Sequence, residues 1–182
     1  MWYLLGAVVL LVVLLFSMYN RFVTLRQRVR NAWSQIEVQL KRRYDLIPNL
    51  VNTVKGYAAH EQETFAKVTQ ARAAAMGAQD VNAQSQAENA LTSTLRSLFA
   101  VAESYPELKA DANFRQLQEE LTNTEGKITF SRQFFNDTVM TYNTALEVFP
   151  AVLIAGAMGF TKESYFNLDE DPAAREPVRV EF

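Results

Sequence analysis

Eighteen consecutive residues, Trp2 to Tyr19, read WYLLGAVVLLVVLLFSMY and carry no charged side chain. As an α-helix rising about 1.5 Å per residue they would cover roughly 27 Å, close to the hydrocarbon thickness of a bilayer. A helix that is apolar on every face does not suit the surface of a soluble domain, which needs a polar side. A cleaved signal peptide wants basic residues before its apolar run and small residues at a cleavage site after it. Nothing basic precedes this run and SMYNRF follows it. The stretch therefore reads as an uncleaved transmembrane helix.

Charge orients the rest of the chain. The formal net charge is only -2, but between residues 20 and 43 Arg21, Arg26, Arg28, Arg30, Lys41, Arg42 and Arg43 face Glu37 alone, so the remainder is acidic. Basic residues are retained on the cytoplasmic side of a membrane, and all the nearby ones follow the span. The expected layout is a short extracytoplasmic N-terminus at residues 1–3 and a span at 2–19. A cytoplasmic helical domain at 20–160 and an extended tail at 161–182 follow. Trp2, Tyr3 and Tyr19 stand where aromatic rings favour the interface. Arg21, Arg26, Arg28 and Arg30 are candidate contacts for anionic headgroups. Basic charge confined beside an apolar run is not a nucleic-acid footprint, and no nucleic-acid partner is expected.

Apolar residues then recur at helical spacing. Trp33, Ile36, Leu40, Tyr44, Ile47, Val51, Val54 and Ala58 form one stripe with no Gly or Pro before Pro48. Pro48 removes a backbone hydrogen bond to the carbonyl of Tyr44. The apolar phase nevertheless carries through, which predicts one kinked helix rather than two. A second helix is expected over Glu61–Met76, with Phe65, Val68, Ala71 or Arg72, and Ala75 on its apolar side. After a loop over Gly77–Ser85, a third begins at Val81 or Gln86 and ends near Glu103, carrying Ala87, Leu91, Leu95, Leu98 and Ala102. Tyr105-Pro106 stops it. Asp111 is placed to cap a fourth, running to about Glu147 on Phe114, Leu117, Leu121, Ile128, Phe135, Val139, Tyr142 and Leu146. Gly126 within it signals something packed close. The fold class is all-α: a transmembrane helix continuing into an antiparallel, four-helix-type bundle.

Two polar stripes accompany the apolar ones. Asp45, Asn49 and Asn52 share one face of the first helix, while Glu125, Arg132, Asn136 and Asn143 share one face of the fourth. Each reads either as a solvated surface or as half of a buried polar seam in which Asp45 or Asn49 meets Arg132 or Asn136. Ala151 to Phe160, AVLIAGAMGF, is apolar but too short to span. It reads as a core-capping helix or as an interaction segment against membrane or a neighbouring subunit.

Catalytic chemistry finds little support. The chain has no cysteine and one histidine, His60, which rules out disulfides, thiolate zinc sites and a His-Glu-x-x-His motif, since position 64 is Thr. A paired-histidine di-iron bundle is excluded for the same reason. No Gly-rich phosphate loop or nucleophile elbow occurs. His60 reads as a turn residue, and no cofactor or metal is expected.

The segment RRYDLIPNLVNTVKGYAAHE resembles the LemA family of bacterial membrane proteins. The resemblance continues through TFAKVTQARAAA, YPELKADANFRQLQEEL, TEGKITFSRQFFNDTVMTYN and FPAVLIAGAMGF. Its motif positions are Arg43, Asp45, Pro48, Asn49, Gly56, His60, Glu61, Tyr105, Pro106, Glu125, Arg132, Asn136, Tyr142, Asn143 and Pro150. The resemblance implies the bacterial cytoplasmic membrane, one span, a helical bundle and no established catalytic activity. It also implies partners among membrane proteases and envelope proteins, and a link to magnetosome membrane formation. The expected function is a non-enzymatic, membrane-anchored scaffold or membrane organiser that forms homo-oligomers. The alternative is an adaptor for a membrane protease or chaperone. A carboxylate-pair hydrolase near His60 is the third class.

Overall fold

A computed structural model of the chain describes residues 1–167. It is all-α, with no strand among those residues. Helix α1 runs Trp2–Tyr57, α2 Gln62–Met76, α3 Val81–Glu103, α4 Pro106–Ala110 and α5 Ala112–Glu147. A 3₁₀ turn follows at Ala151–Leu153. The chain divides into two compact units. One comprises Met1–Val38 with Thr129–Tyr165, the other Gln39–Ile128 with Phe166 and Asn167 among the described residues.

In the first unit, α1 begins fully exposed, with none of its most apolar window buried. It then acquires a buried face at Phe22, Leu25, Val29, Ala32 and Ile36. The alternating spacing of three and four keeps these five on one side of the helix. The packing stripe therefore starts one span-length after the N-terminus, earlier than the Trp33 where the sequence pattern becomes obvious. Phe135, Val139, Tyr142, Ala145 and Leu146 of α5 are buried as well. Trp33 packs on Phe135 with ring centroids 5.4 Å apart, whereas Leu14, Met18 and Phe22 share a recess with Ala145, Val148 and Phe149. Later positions on α5 thus meet earlier positions on α1, and the two segments are antiparallel.

In the second unit, α1 contributes Leu40, Tyr44, Ile47, Leu50, Val51 and Val54 to the core. Helices α2 and α3 form a hairpin across Gly77–Asp80 and pack on each other. Asp80 caps α3 by accepting from the Ala83 N–H at 2.8 Å, so the helix starts at Val81 and the expected loop to Ser85 is shorter. Pro106 takes the first position of a short α4, which the sequence pattern did not show; the missing N–H of proline is harmless there. Asp111 accepts from the Phe114 N–H at 2.8 Å and caps α5, as its position predicts. Gly126 differs from expectation: a Cβ there would meet nothing within 4 Å. It marks no close approach.

Pro48 lies inside α1 without ending it. Its ring leaves the Tyr44 carbonyl without a helical donor. Arg72 of α2 fills that vacancy, its Nε donating to the Tyr44 oxygen at 2.7 Å. A buried backbone acceptor left without a partner costs about 1–3 kcal/mol. One cross-helix bond therefore both tolerates the proline and fixes α2 on α1. Arg72→Ala should destabilise the full-length protein by about 1–3 kcal/mol in chemical denaturation. The same change on a Pro48→Ala background should cost distinctly less, because residue 48 then supplies its own N–H.

Candidate functional site

The most buried charge in the second unit is Arg43, 1% exposed, opposite Glu88 of α3, also 1% exposed. Arg43 Nη1 donates to Glu88 Oε2 at 2.8 Å, and Nη2 donates to Thr92 Oγ1 at 2.8 Å. On the other side its Nε lies 2.8 Å from Glu125 Oε1 of α5, close in charge but poorly aligned as a hydrogen bond. The neighbouring Tyr44 donates its hydroxyl to Glu88 Oε1. Gln84 Nε2 lies 2.8 Å from both the Tyr44 hydroxyl and Glu88 Oε1, and 3.1 Å from the Ala75 carbonyl.

Removing a charge pair from water costs several kcal/mol per ion, recovered only when geometry and supporting bonds are good. Here the carboxylate receives Arg43, Tyr44 and Gln84, and the guanidinium is enclosed by two carboxylates and a hydroxyl. Burial raises the Tyr44 phenol well above its ordinary range, reinforced by its bond to Glu88 and the nearby Glu88 charge, against smaller lowering effects of Gln84 and Arg43. Tyr44 thus stays a proton donor. A groove of about 360 Å³ opens beside this network, lined by Arg43, Thr92, Leu95, Arg96, Phe99, Gln118, Leu121, Thr122 and Glu125.

This joint changes the polar-seam expectation. Asp45, Asn49 and Asn52 are exposed, so the buried seam expected from them with Arg132 or Asn136 is corrected: their stripe is the solvated one. Arg43, two residues before Asp45 and so on the opposite side of the helix, is the buried member instead. Glu125 does reach another helix, through Arg43. Arg132 and Asn136 are half-buried and Asn143 is buried. The sequence pattern hides Arg43 inside a run of three basic residues, and hides Glu88 beside Ala87, which falls on the expected apolar face. Gln84 and Glu88, four residues apart on the face of Leu91 and Leu95, were the available signal.

The first unit holds the apolar N-terminal stretch and the arginines that follow it. Trp2 to Tyr19 protrudes as the one helix among the described residues long and apolar enough to cross a membrane. Arg21, Arg28 and Arg30 are exposed. Arg26 is not a free headgroup contact: its guanidinium lies 5.0 Å above the Phe160 ring. Phe160 also packs edge-on against Phe22 at 5.2 Å and Tyr19 at 5.5 Å. Gly159, at φ +77°, supplies the left-handed turn that aims it there. Tyr142 donates to the Thr161 carbonyl at 2.9 Å, and Asn143 bonds both the N–H and the C=O of Glu163, each at 2.9 Å.

Ala151 to Phe160 therefore is not a core-capping helix. It is a 3₁₀ turn and further turns that bury Ala151, Ala155 and Phe160 and leave Val152 and Leu153 outside. Residues 161–167 have no regular secondary structure; the rest of the expected tail lies outside the described residues. His60 is exposed in the turn after α1. Among the described residues no group of three or more His, Asp or Glu side chains is placed to hold a metal.

The LemA family model matches residues 32–182. The chain belongs to the LemA family. It is 27% identical to the magnetosome protein MamQ of Magnetospirillum gryphiswaldense, over 88% of this chain and 68% of that protein. It is 27% identical to MamQ 2 of Paramagnetospirillum magneticum, over 94% and 72%. Against protein LemA of Metamycoplasma hominis the identity is 26%, over 83% and 69%. In this LemA-family chain the motif positions Arg43, Pro48, Glu125, Tyr142 and Asn143 sit at joints between segments, while Asp45, Asn49 and His60 are exposed.

Glu88→Ala should strand Arg43 and Tyr44 and destabilise the protein by about 3–5 kcal/mol in chemical denaturation, while Asp45→Ala should stay within about 0.5 kcal/mol. The Tyr44 shift sets a pH dependence. A phenol whose folded pKa is raised contributes stability that is complete below its unfolded pKa of about 10 and fades as pH climbs above it. The midpoint should fall above that pH in the wild type, and Tyr44→Phe should flatten the slope while starting from a lower midpoint.

Proposed function

We propose that the chain is a non-enzymatic scaffold anchored by one transmembrane helix in the bacterial cytoplasmic membrane, with its helical units on the cytoplasmic side, and that it organises that membrane by self-association. The observation that carries the anchor is on α1. The same helix is exposed on every face over Trp2 to Leu14, is only half-buried at Leu15 and Met18 near the end of the apolar run, and is buried on one side from Phe22 onward. An apolar rod that its own protein leaves uncovered needs lipid to cover it. The basic flank of Arg21, Arg28 and Arg30 supports the cytoplasmic orientation. The likeness to proteins named for the magnetosome supports a role in membrane organisation.

Self-association draws support from α5. Phe130 is 71% exposed and Phe134, one turn later, 45% exposed. Large aromatic rings one turn apart on an open helix face are typical anchors of protein contacts. Beside Phe134 runs a groove of about 640 Å³ whose lining includes Arg28 and Asp137. Opposite charges on one patch allow two copies of the same surface to meet.

Light scattering of the detergent-solubilised protein should give a protein mass that is a whole multiple, above one, of 20.7 kDa. Phe134→Ser should reduce that multiple. One chain per particle would overturn self-association and leave the adaptor for a membrane protease or chaperone as the reading to pursue.

A further inference from the structure

The turns after α5 lie beside the end of the span. Met158 shares an apolar recess with Val12, Leu15, Phe16 and Tyr19. Phe149 shares another with Leu14, Met18 and Arg21. Whatever depth the last turns of the span occupy, Phe149 and Met158 occupy too. Phe149 is 79% and Leu153 71% exposed, and Val148 and Val152 are exposed with them. No charged side chain occurs between Glu147 and Lys162.

The backbone supplies an independent observation. A segment inside a bilayer must satisfy its own N–H groups, because no water is there to do so. Eight of the twelve N–H groups from Val148 to Phe160, including those of Val152, Leu153, Ala155 and Met158, donate to carbonyls of residues 144–156, while those of Phe149, Ala151, Gly156 and Ala157 make no such bond and fall to the headgroup side of a shallow segment. Pro150 has no N–H to satisfy. Apolar side chains pointing out of a turn with two thirds of its N–H groups bonded internally suit the shallow hydrocarbon below the headgroups and are poorly suited to water.

We propose that Val148 to Met158 is a second membrane element, a non-spanning wedge that inserts into the leaflet next to the exit of the transmembrane helix. Arg21, at the level of Phe149, marks the headgroup boundary. Phe160 and its contacts with Tyr19, Phe22 and Arg26 hold the wedge against α1 from the aqueous side. The occupant of the exposed face is acyl chain, and the continuity of that face with the span selects lipid over a protein partner. The inference rests on the anchor reading of Trp2 to Tyr19.

Because the chain lacks cysteine, one introduced thiol reports one position. The full-length protein carrying Leu153→Cys with an environment-sensitive fluorophore is reconstituted into phosphatidylcholine–phosphatidylglycerol vesicles. Ser34→Cys, exposed and away from the wedge, and Val9→Cys, within the span, are labelled in parallel. The wedge predicts that aqueous iodide quenches the residue 153 label several-fold less than the residue 34 label, and that lipids with a shallow acyl nitroxide quench it strongly. Quenching by iodide at 153 equal to that at 34, with lipid quenching intact at 9, overturns the wedge and spares the anchor. Loss of lipid quenching at 9 overturns both. A 153 label shielded from iodide and nitroxide alike identifies a second copy or another protein over Leu153 and overturns lipid as the occupant.

Discussion

A buried arginine needs a complete set of partners, and that requirement organises the unit built from Gln39–Ile128. Arg43 can be satisfied only if α3 brings Glu88 and Thr92 to one side and α5 brings Glu125 to the other. Glu88 in turn can stay buried only with Tyr44 and Gln84 around its second oxygen. Gln84 also reaches the Ala75 carbonyl at the end of α2. Apolar stripes bring helices together but tolerate sliding, because hydrophobic attraction has no direction. A network in which each missing member strands a buried charge allows far fewer arrangements. Register in this unit is set by the ionic joint, and the apolar core supplies the attraction.

Pro48 belongs to the same device. By removing one donor from α1 it creates a backbone acceptor on Tyr44, the residue whose hydroxyl already serves Glu88. Arg72 of α2 occupies that acceptor. Two adjacent residues of α1, Arg43 and Tyr44, thereby hold three other helices through a guanidinium, a phenol and a carbonyl. A joint with its polar groups paired among themselves suits a protein whose task is to hold a shape.

The unit that holds the apolar N-terminal stretch is assembled by different means. The helical residues of α1 and α5 meet through apolar side chains, and the turns after Pro150 return Phe160 to the point where the apolar span becomes an amphipathic helix. Tyr142 and Asn143 secure the return by bonding backbone atoms of Thr161 and Glu163. Their partners are main-chain groups, so the sequence of the returning segment carries no complementary side chain to reveal the contact. The ring of Phe160 occupies the site at which Arg26 would otherwise be free to meet a headgroup. Of the exposed remainder, Phe149 lies beside Leu14 and Met18 of the apolar stretch.

Much of this was determined by local chemistry along the chain. The uncharged run ending at Tyr19, the periodic stripes, the caps at Asp80 and Asp111, and the continuity of α1 through Pro48 are all set within a few residues, and helix propensity and periodicity report such interactions directly. Other features depended on distant partners. Asp45, Asn49 and Asn52 formed as regular a stripe as any, yet the side of α1 that the other helices cover holds Arg43, and a polar period alone does not say which polar face is covered. The same holds for Ala151 to Phe160: composition made it apolar, but only the tertiary packing decided that Phe160 turns inward while Leu153 stays outside. Periodicity fixes which residues share a face. Burial is decided by what arrives to cover that face, and for Arg43 and Phe160 the covering groups lie tens to more than a hundred residues away in the chain.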